Sequence, residues 1–156
     1  MAPQPEEGSG GAAFLALHLN APGGHPIPGA LLRRGLETLW AREGVVGGEL
    51  SVTFLADGPM RAMNRRYLDH DRVTDVLAFA LHEEGETPVG DVYVGVEQGE
   101  RQAREHGLDR DEELLRLALH GALHVLGYDH PESAGEREGS EQYRRQEEVI
   151  REVLAP

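Results

Sequence analysis

Apolar and polar positions along this chain follow two periods, one of two residues and one near 3.6. Phe14, Ala16 and His18 alternate with Leu15, Leu17 and Leu19, which predicts a first strand over Ala13–Asn20. After a Pro/Gly loop, Leu31, Leu32, Leu36, Leu39 and Trp40 recur at helical spacing and predict a helix over Pro28–Arg42. Gly47-Gly48 breaks the pattern. Glu49–Leu55 returns to alternation, with Leu50, Val52 and Phe54 on one face. Asp57 followed by Pro59 reads as a helix start, with Asp as the cap and Pro in the first turn. That helix carries Met60, Met63 and Tyr67.

Val73–Leu81 is the most apolar strand. Seven residues, Gly85 among them, separate it from Val89–Val96, so the two are expected to form a hairpin. A polar helix over Glu97–His106 stops at Gly107. The next helix starts at Asp109 or Asp111. Its Leu114, Leu115, Leu117, Ala118, Ala122, Leu123 and Leu126 wrap most of its circumference, the mark of a buried central helix. A last helix, rich in Glu and Arg, covers Ser140–Leu154. About four mixed strands and about five helices predict a single α+β (mixed α/β) domain with the apolar helix packed centrally.

Composition narrows the classes. At 156 residues one domain is expected, with residues 1–11 as a disordered tail and 12–156 as the folded unit. No run of eighteen apolar residues offers a membrane span. The opening Met-Ala-Pro-Gln-Pro-Glu-Glu has neither the basic start nor the apolar stretch of a signal peptide. The chain has no cysteine, which excludes disulfides and zinc–thiolate sites and fits the cytoplasm. A formal charge of −13 argues against non-specific binding to nucleic acid. All fifteen basic residues are Arg, and four of them (Arg61, Arg65, Arg66 and Arg72) fall within twelve positions. They form either a local basic cleft or a solvated helix face.

The chemistry concentrates at the end of the apolar helix. His120, His124 and His130 are spaced H-x₃-H-x₅-H, with Gly127 between the second and third. The first two share a helix face. Gly127 can end the helix in a left-handed turn and let the chain bring His130 back. Three imidazoles with an open fourth position suit a catalytic zinc, whereas a structural zinc would want a fourth protein ligand. The zinc-protease pattern H-E-x-x-H-x-x-G-x-x-H has the same histidines and glycine. Here Gly121 stands where the protease has its Glu, the general base, and no methionine follows the motif to form a Met-turn. The spacing therefore points to metal-assisted hydrolysis other than that of a peptidase.

His120-Gly-Ala-Leu-His124-Val-Leu-Gly-Tyr-Asp-His130, together with the run from Asn64 to Phe79 and with Gly90-Asp91-Val92 between them, resembles the YbeY family of bacterial endoribonucleases. The resemblance spans about residues 50 to 150. It implies a single-strand-specific, zinc-dependent endoribonuclease that acts in rRNA maturation at the 16S 3′ end and in ribosome quality control. It also implies one zinc on His120, His124 and His130, RNA and ribosomal proteins as partners, and no membrane. Leu68 stands where the family pattern has Arg, Ala78 and Ala80 stand for Ser and Pro, and Val125 stands for Leu.

Around the metal, Asp75, Asp129 and Arg116 are the candidate catalytic residues, with Asp91 a further strand-start carboxylate. Arg65, Arg66 and Arg72 are the candidate RNA contacts. For Arg116, an ion pair with Glu112 or Glu113 is the competing role. Two other functions stay open: a metal-dependent hydrolase of a non-RNA substrate, and a ribosome-associated zinc protein with weak or no catalysis.

Overall fold

The computed structural model describes residues 14–68, 75–128 and 140–156. Its elements are β1 (Ala16–Asn20), α1 (Gly29–Arg42), β2 (Glu49–Leu55), α2 (Asp57–Leu68), β3 (Val76–Ala80), β4 (Val89–Gly95), α3 (Val96–His106), α4 (Arg110–Val125) and α5 (Glu141–Leu154). The strands form one sheet in the order β1-β2-β4-β3. β1–β2 and β2–β4 pair parallel, and β3 pairs antiparallel with β4 as the expected hairpin. β3 is therefore an edge strand. Among the described residues no helix is long and apolar enough to cross a membrane.

Side chains alternate across the sheet, so each face has its own character. Leu17, Leu50, Val52, Phe54, Val92 and Val94 are buried in one core cluster with Leu36, Leu39 and Trp40 of α1 and the apolar residues of α4. The registers Leu17↔Leu50, Leu50↔Gly90 and Ala78↔Val92 put these positions on one face. On the other face lie His18, Ser51, Asp91, Tyr93 and Phe79, with α2 touching β4 there. Segregating most helices to one face of a mixed sheet makes this an α+β domain, as the pattern predicts. The central position expected of α4 is observed: it contacts β3, β4, α1, α3 and α5.

Two glycines let α4 lie directly on the sheet. A Cβ on Gly121 would fall 2.5 Å from Val92 Cγ1 and 3.1 Å from Val76 Cγ2. A Cβ on Gly90 would fall 2.5 Å from Val125 Cγ1 and 2.9 Å from the Phe79 carbonyl oxygen. Each element thus carries a glycine where the other presents a valine, and the helix seats between the two.

The ends of the elements follow local chemistry, with some departures from expectation. Asp109, not Asp111, caps α4, its carboxylate accepting from the Glu112 N–H at 3.1 Å. Ser140 caps α5 through the Tyr143 N–H at 3.1 Å. Gly107 closes α3 in the left-handed region at φ 66°. The expected Asp57 cap is not made. Asp57 is itself helical, and its carboxylate takes two hydrogen bonds from Arg101 at 2.9 Å, joining α2 to α3. β1 begins at Ala16 rather than Ala13, and β3 at Val76 rather than Val73. Positions 13, 73 and 74 lie outside the described residues, and Asp75 is a bend whose carbonyl accepts from the Gly95 N–H at 2.8 Å.

Candidate active site

His120 and His124 stand one turn apart on the flank of α4 nearest β3. Both rings are half-buried, and they line a pocket of about 180 Å³ whose opposite wall is β3 from Val76 to Phe79. His124 also borders a larger cleft of about 790 Å³, shared with His82, Glu84, Glu86, Glu43 and Tyr128. Acidic groups and histidines converge on that cleft. His82 is fixed in it by the Val89 N–H, which donates to Nδ1 at 3.1 Å.

The orientation of His120 comes from α5. Its Nδ1 lies 3.2 Å from Gln146 Oε1, an acceptor, while the Gln146 amide nitrogen turns toward Glu147 at 3.3 Å. The Gln142 amide passes 3.4 Å from the same Nδ1 but donates to the His120 carbonyl at 3.1 Å. The shorter contact, to the Gln146 oxygen, fits a proton on Nδ1, and in that tautomer the Nε2 lone pair is the one a ligand would offer a metal. A second hydrogen bond of this kind is what usually sets the tautomer of a ligating histidine. Gln142 and Gln146 are buried on the inner face of α5. The sequence reading did not single them out. The available signal was two glutamines four residues apart on an apolar stripe with Val149, Ile150 and Val153.

Past α4 the chain turns as expected. Gly127 has φ 107°, its N–H donates to the His124 carbonyl at 3.0 Å, and the Tyr128 N–H donates to that of Leu123 at 3.1 Å. The Tyr128 hydroxyl donates to Glu43 Oε1 at 2.8 Å, and Arg145 donates to Glu43 Oε2 at 2.7 Å while its guanidinium sits 5.7 Å over the Tyr128 ring. Burial, then the hydrogen bond to Glu43, holds the Tyr128 hydroxyl above its ordinary pKa. This trio, also absent from the sequence reading, anchors the chain two residues before His130.

His130 and Asp129 lie outside the described residues, as does Arg72. Among the described residues, no group of three His, Asp or Glu that could hold a metal is complete. The two imidazoles present do fit such a centre: they lie one helical turn apart and line one pocket, His120 has a hydrogen-bond partner at Nδ1, and neutral nitrogen donors suit zinc.

The other candidates sit apart from the histidine pair. Asp75 Oδ2 accepts from Gln102 Nε2 of α3 at 3.2 Å. Asp91 points to the sheet face away from α4, so its strand start does not border the histidines. Arg116 bonds Glu147 at 2.8 Å, Glu113 at 2.9 Å and Glu112 at 3.2 Å. Burial alone would lower its pKa, but these carboxylates outweigh that and hold it above its ordinary value. The ion pairs the sequence offered as its competing role are the ones it makes. Arg65 and Arg66 are exposed on α2. Gly121, at the protease's Glu position, has no room for any side chain against Val92.

Comparison with known proteins agrees with this geometry. The family described as "Endoribonuclease YbeY" matches residues 30–153. The chain is 39% identical over 133 residues to the Endoribonuclease YbeY of Bacillus cereus (strain G9842), covering 78% of this chain and 83% of that protein. It is 41% identical over 115 residues to that of Bacillus thuringiensis (strain Al Hakam), covering 67% of this chain and 72% of the relative. A Thermotoga maritima protein solved in solution superposes with a TM-score of 0.62 at 28% identity over 88% of each chain. Histidine helix, paired glycines and these likenesses together mean that the chain belongs to the YbeY endoribonuclease family.

Proposed function

We propose that this protein is a zinc-dependent endoribonuclease that cuts single-stranded RNA in the cytoplasm, acting in maturation of the 16S rRNA 3′ end and in ribosome quality control. The observation that carries the reading is the pair His120 and His124 on one flank of α4, facing a pocket walled by β3. His130 is the third ligand in this reading. Bound there, one zinc supplies Lewis acidity to a phosphoryl oxygen and makes water a better nucleophile near neutral pH.

The protein's own groups do the rest. Gln146 holds the His120 ring so that Nε2 faces the site. The small pocket admits a backbone phosphate beside both imidazoles. Arg65 and Arg66 hold neighbouring phosphates from α2, and Arg72 joins them. Because nothing larger than hydrogen fits at Gly121, proton removal falls to another group, for which Asp129, next to His130, is the nearest in sequence. Asp75 is held by Gln102 at the head of β3 and shapes that wall; Arg116 braces α4 against α5. A salt-sensitive interaction with ribosomal RNA or ribosomal proteins follows from so acidic a body carrying so local a basic patch.

The test is cleavage of an end-labelled single-stranded rRNA fragment by metal-loaded protein beside His124→Ala purified identically, with metal content measured for both. Cleavage and stoichiometric zinc in the parent, and neither in the variant, is the expected result. Equal cleavage by metal-free His124→Ala would overturn the reading. Turnover of casein or a simple ester without RNA cleavage would replace it with hydrolysis of another substrate.

A further inference from the structure

The histidine pocket reaches around the edge of the sheet. Its β3 wall includes Val76 and Ala78, which face α4, and also Leu77 and Phe79, which face the opposite side. Phe79 is therefore shared between the pocket and the open sheet face. Its ring meets Tyr67 edge-on, with centroids 5.3 Å apart at 63°, and Tyr93 at 6.1 Å and 73°. The chain has three Phe and four Tyr, so three of its seven such rings form this one ladder, which reaches the histidine pocket at Phe79.

The outer ring of the ladder is in water. Tyr67 is 52% exposed, and the Arg66 guanidinium lies 5.3 Å over its face. Arg61 and Arg65 are exposed on the same helix. Elsewhere Arg42, Arg101, Arg110, Arg116, Arg144 and Arg145 are all in ion pairs. Among the described residues Arg61, Arg65 and Arg66 are in none, like Arg33, Arg34, Arg104 and Arg151, but α2 alone carries three of these. Three of the seven arginines without a carboxylate partner among the described residues thus lie on α2, the helix that carries the half-exposed Tyr67, at the end of a ladder leading to the candidate metal site. Aromatic rings flanked by arginine are the surface on which unpaired bases stack while the cations follow the backbone.

We propose that Tyr67, braced by Phe79 and flanked by Arg66, is a base-stacking subsite for an unpaired nucleotide next to the scissile phosphate, and that it supplies the preference for single strands. This rests on the ribonuclease reading above. The strand crosses the edge of β3, with its reacting phosphate in the histidine pocket and a neighbouring base on Tyr67. A base inside a duplex has both faces covered by its neighbours and cannot make this contact. The charge complementarity of α2 and the continuity with the pocket favour RNA over an apolar protein partner.

Two measurements test it. In the first, KM and kcat are compared on a single-stranded RNA and on copies in which one abasic nucleotide is moved along the chain. The parent should lose about 10-fold in KM at one position near the cut. Tyr67→Ala should show that loss on the intact RNA and no longer respond to the abasic nucleotide, while Tyr67→Trp should restore it. A Tyr67→Ala protein with unchanged KM, or one still sensitive to the abasic position, overturns the proposal.

In the second, the fluorescence of Tyr67→Trp above the background of buried Trp40 is titrated with poly(U), with a matched duplex and with a ribosomal protein extract freed of RNA. Quenching by poly(U) alone supports the subsite, even if no RNA is cut and the ribonuclease reading fails. Equal quenching by the duplex, or quenching by the extract and not by poly(U), overturns it.

Discussion

Gly121 of α4 and Val92 of β4 are packed so closely that a single added carbon on the glycine would sit 2.5 Å from the valine Cγ1. Helix propensity alone would favour alanine over glycine here by about 1 kcal/mol. The contact reverses that preference, because Val92 is fully buried and Val76 closes the other side. Gly121→Ala should destabilise the protein by about 1–3 kcal/mol, the usual cost of overpacking, and Gly121→Glu by more. Thermal unfolding checks this: a melting temperature unchanged or raised in Gly121→Ala would show that the helix can lift off the sheet freely. The same contact explains why the peptidase base cannot be restored here without moving α4.

Gln146 is expected to act through His120. Gln146→Leu removes the acceptor of the Nδ1 proton and should weaken zinc binding about 10-fold. Competition against a calibrated chelator reads this directly, without reference to cleavage. Affinity equal to that of the parent would mean the tautomer is set elsewhere.

Arg116 braces α4 against α5, and its side chain is 18% exposed beside Glu113 at 8% and Glu147 at 18%. Removing the cation leaves two poorly solvated carboxylates facing each other. Arg116→Met should cost about 3 kcal/mol in urea unfolding. The triple variant with Glu113→Gln and Glu147→Gln should recover most of that loss. A single variant as stable as the parent would show the network to be neutral.

Tyr128 ties stability to alkaline pH. Its folded pKa is raised, first by burial and then by Glu43, so the folded state holds the proton more tightly than the unfolded chain does. At neutral pH both states are protonated and the full stability is present. Above the ordinary tyrosine value near 10 the unfolded chain loses its proton first, and stability falls until the folded pKa is passed. Tyr128→Phe should be less stable at neutral pH by about 1–2 kcal/mol, for the lost hydrogen bond to a carboxylate, yet lose less on going to pH above 10. Tyr93, also raised by burial, keeps its share of the slope. Urea titrations of both proteins at the two pH values decide it; parallel losses would exclude Tyr128 as the source.

What sequence alone determined were the features set by local chemistry. Alternation placed Leu50, Val52 and Phe54 on one face of β2, and the 3.6-residue stripe placed α1 and α4, because these periods follow from backbone geometry. His120 and His124 fell on one side of α4 for the same reason. Asp109, one of the two cap candidates, capped α4, and Gly107 and Gly127 took up positive φ as expected, since those contacts lie within a few residues. What only the tertiary structure decided were partners distant in sequence. Asp57 had the right neighbours for a cap, yet Arg101, forty-four residues away, takes both its oxygens. Asp91 seemed to border the site, but the register of β4 turns it to the opposite face. Gln146 reaches His120 across twenty-six residues, and Tyr67 joins the pocket only because β3 is an edge strand that carries Phe79. Gly121 reads in sequence as a missing base; in the fold it is the close contact that lets the histidine helix rest on the sheet, a fact no spacing along one helix contains.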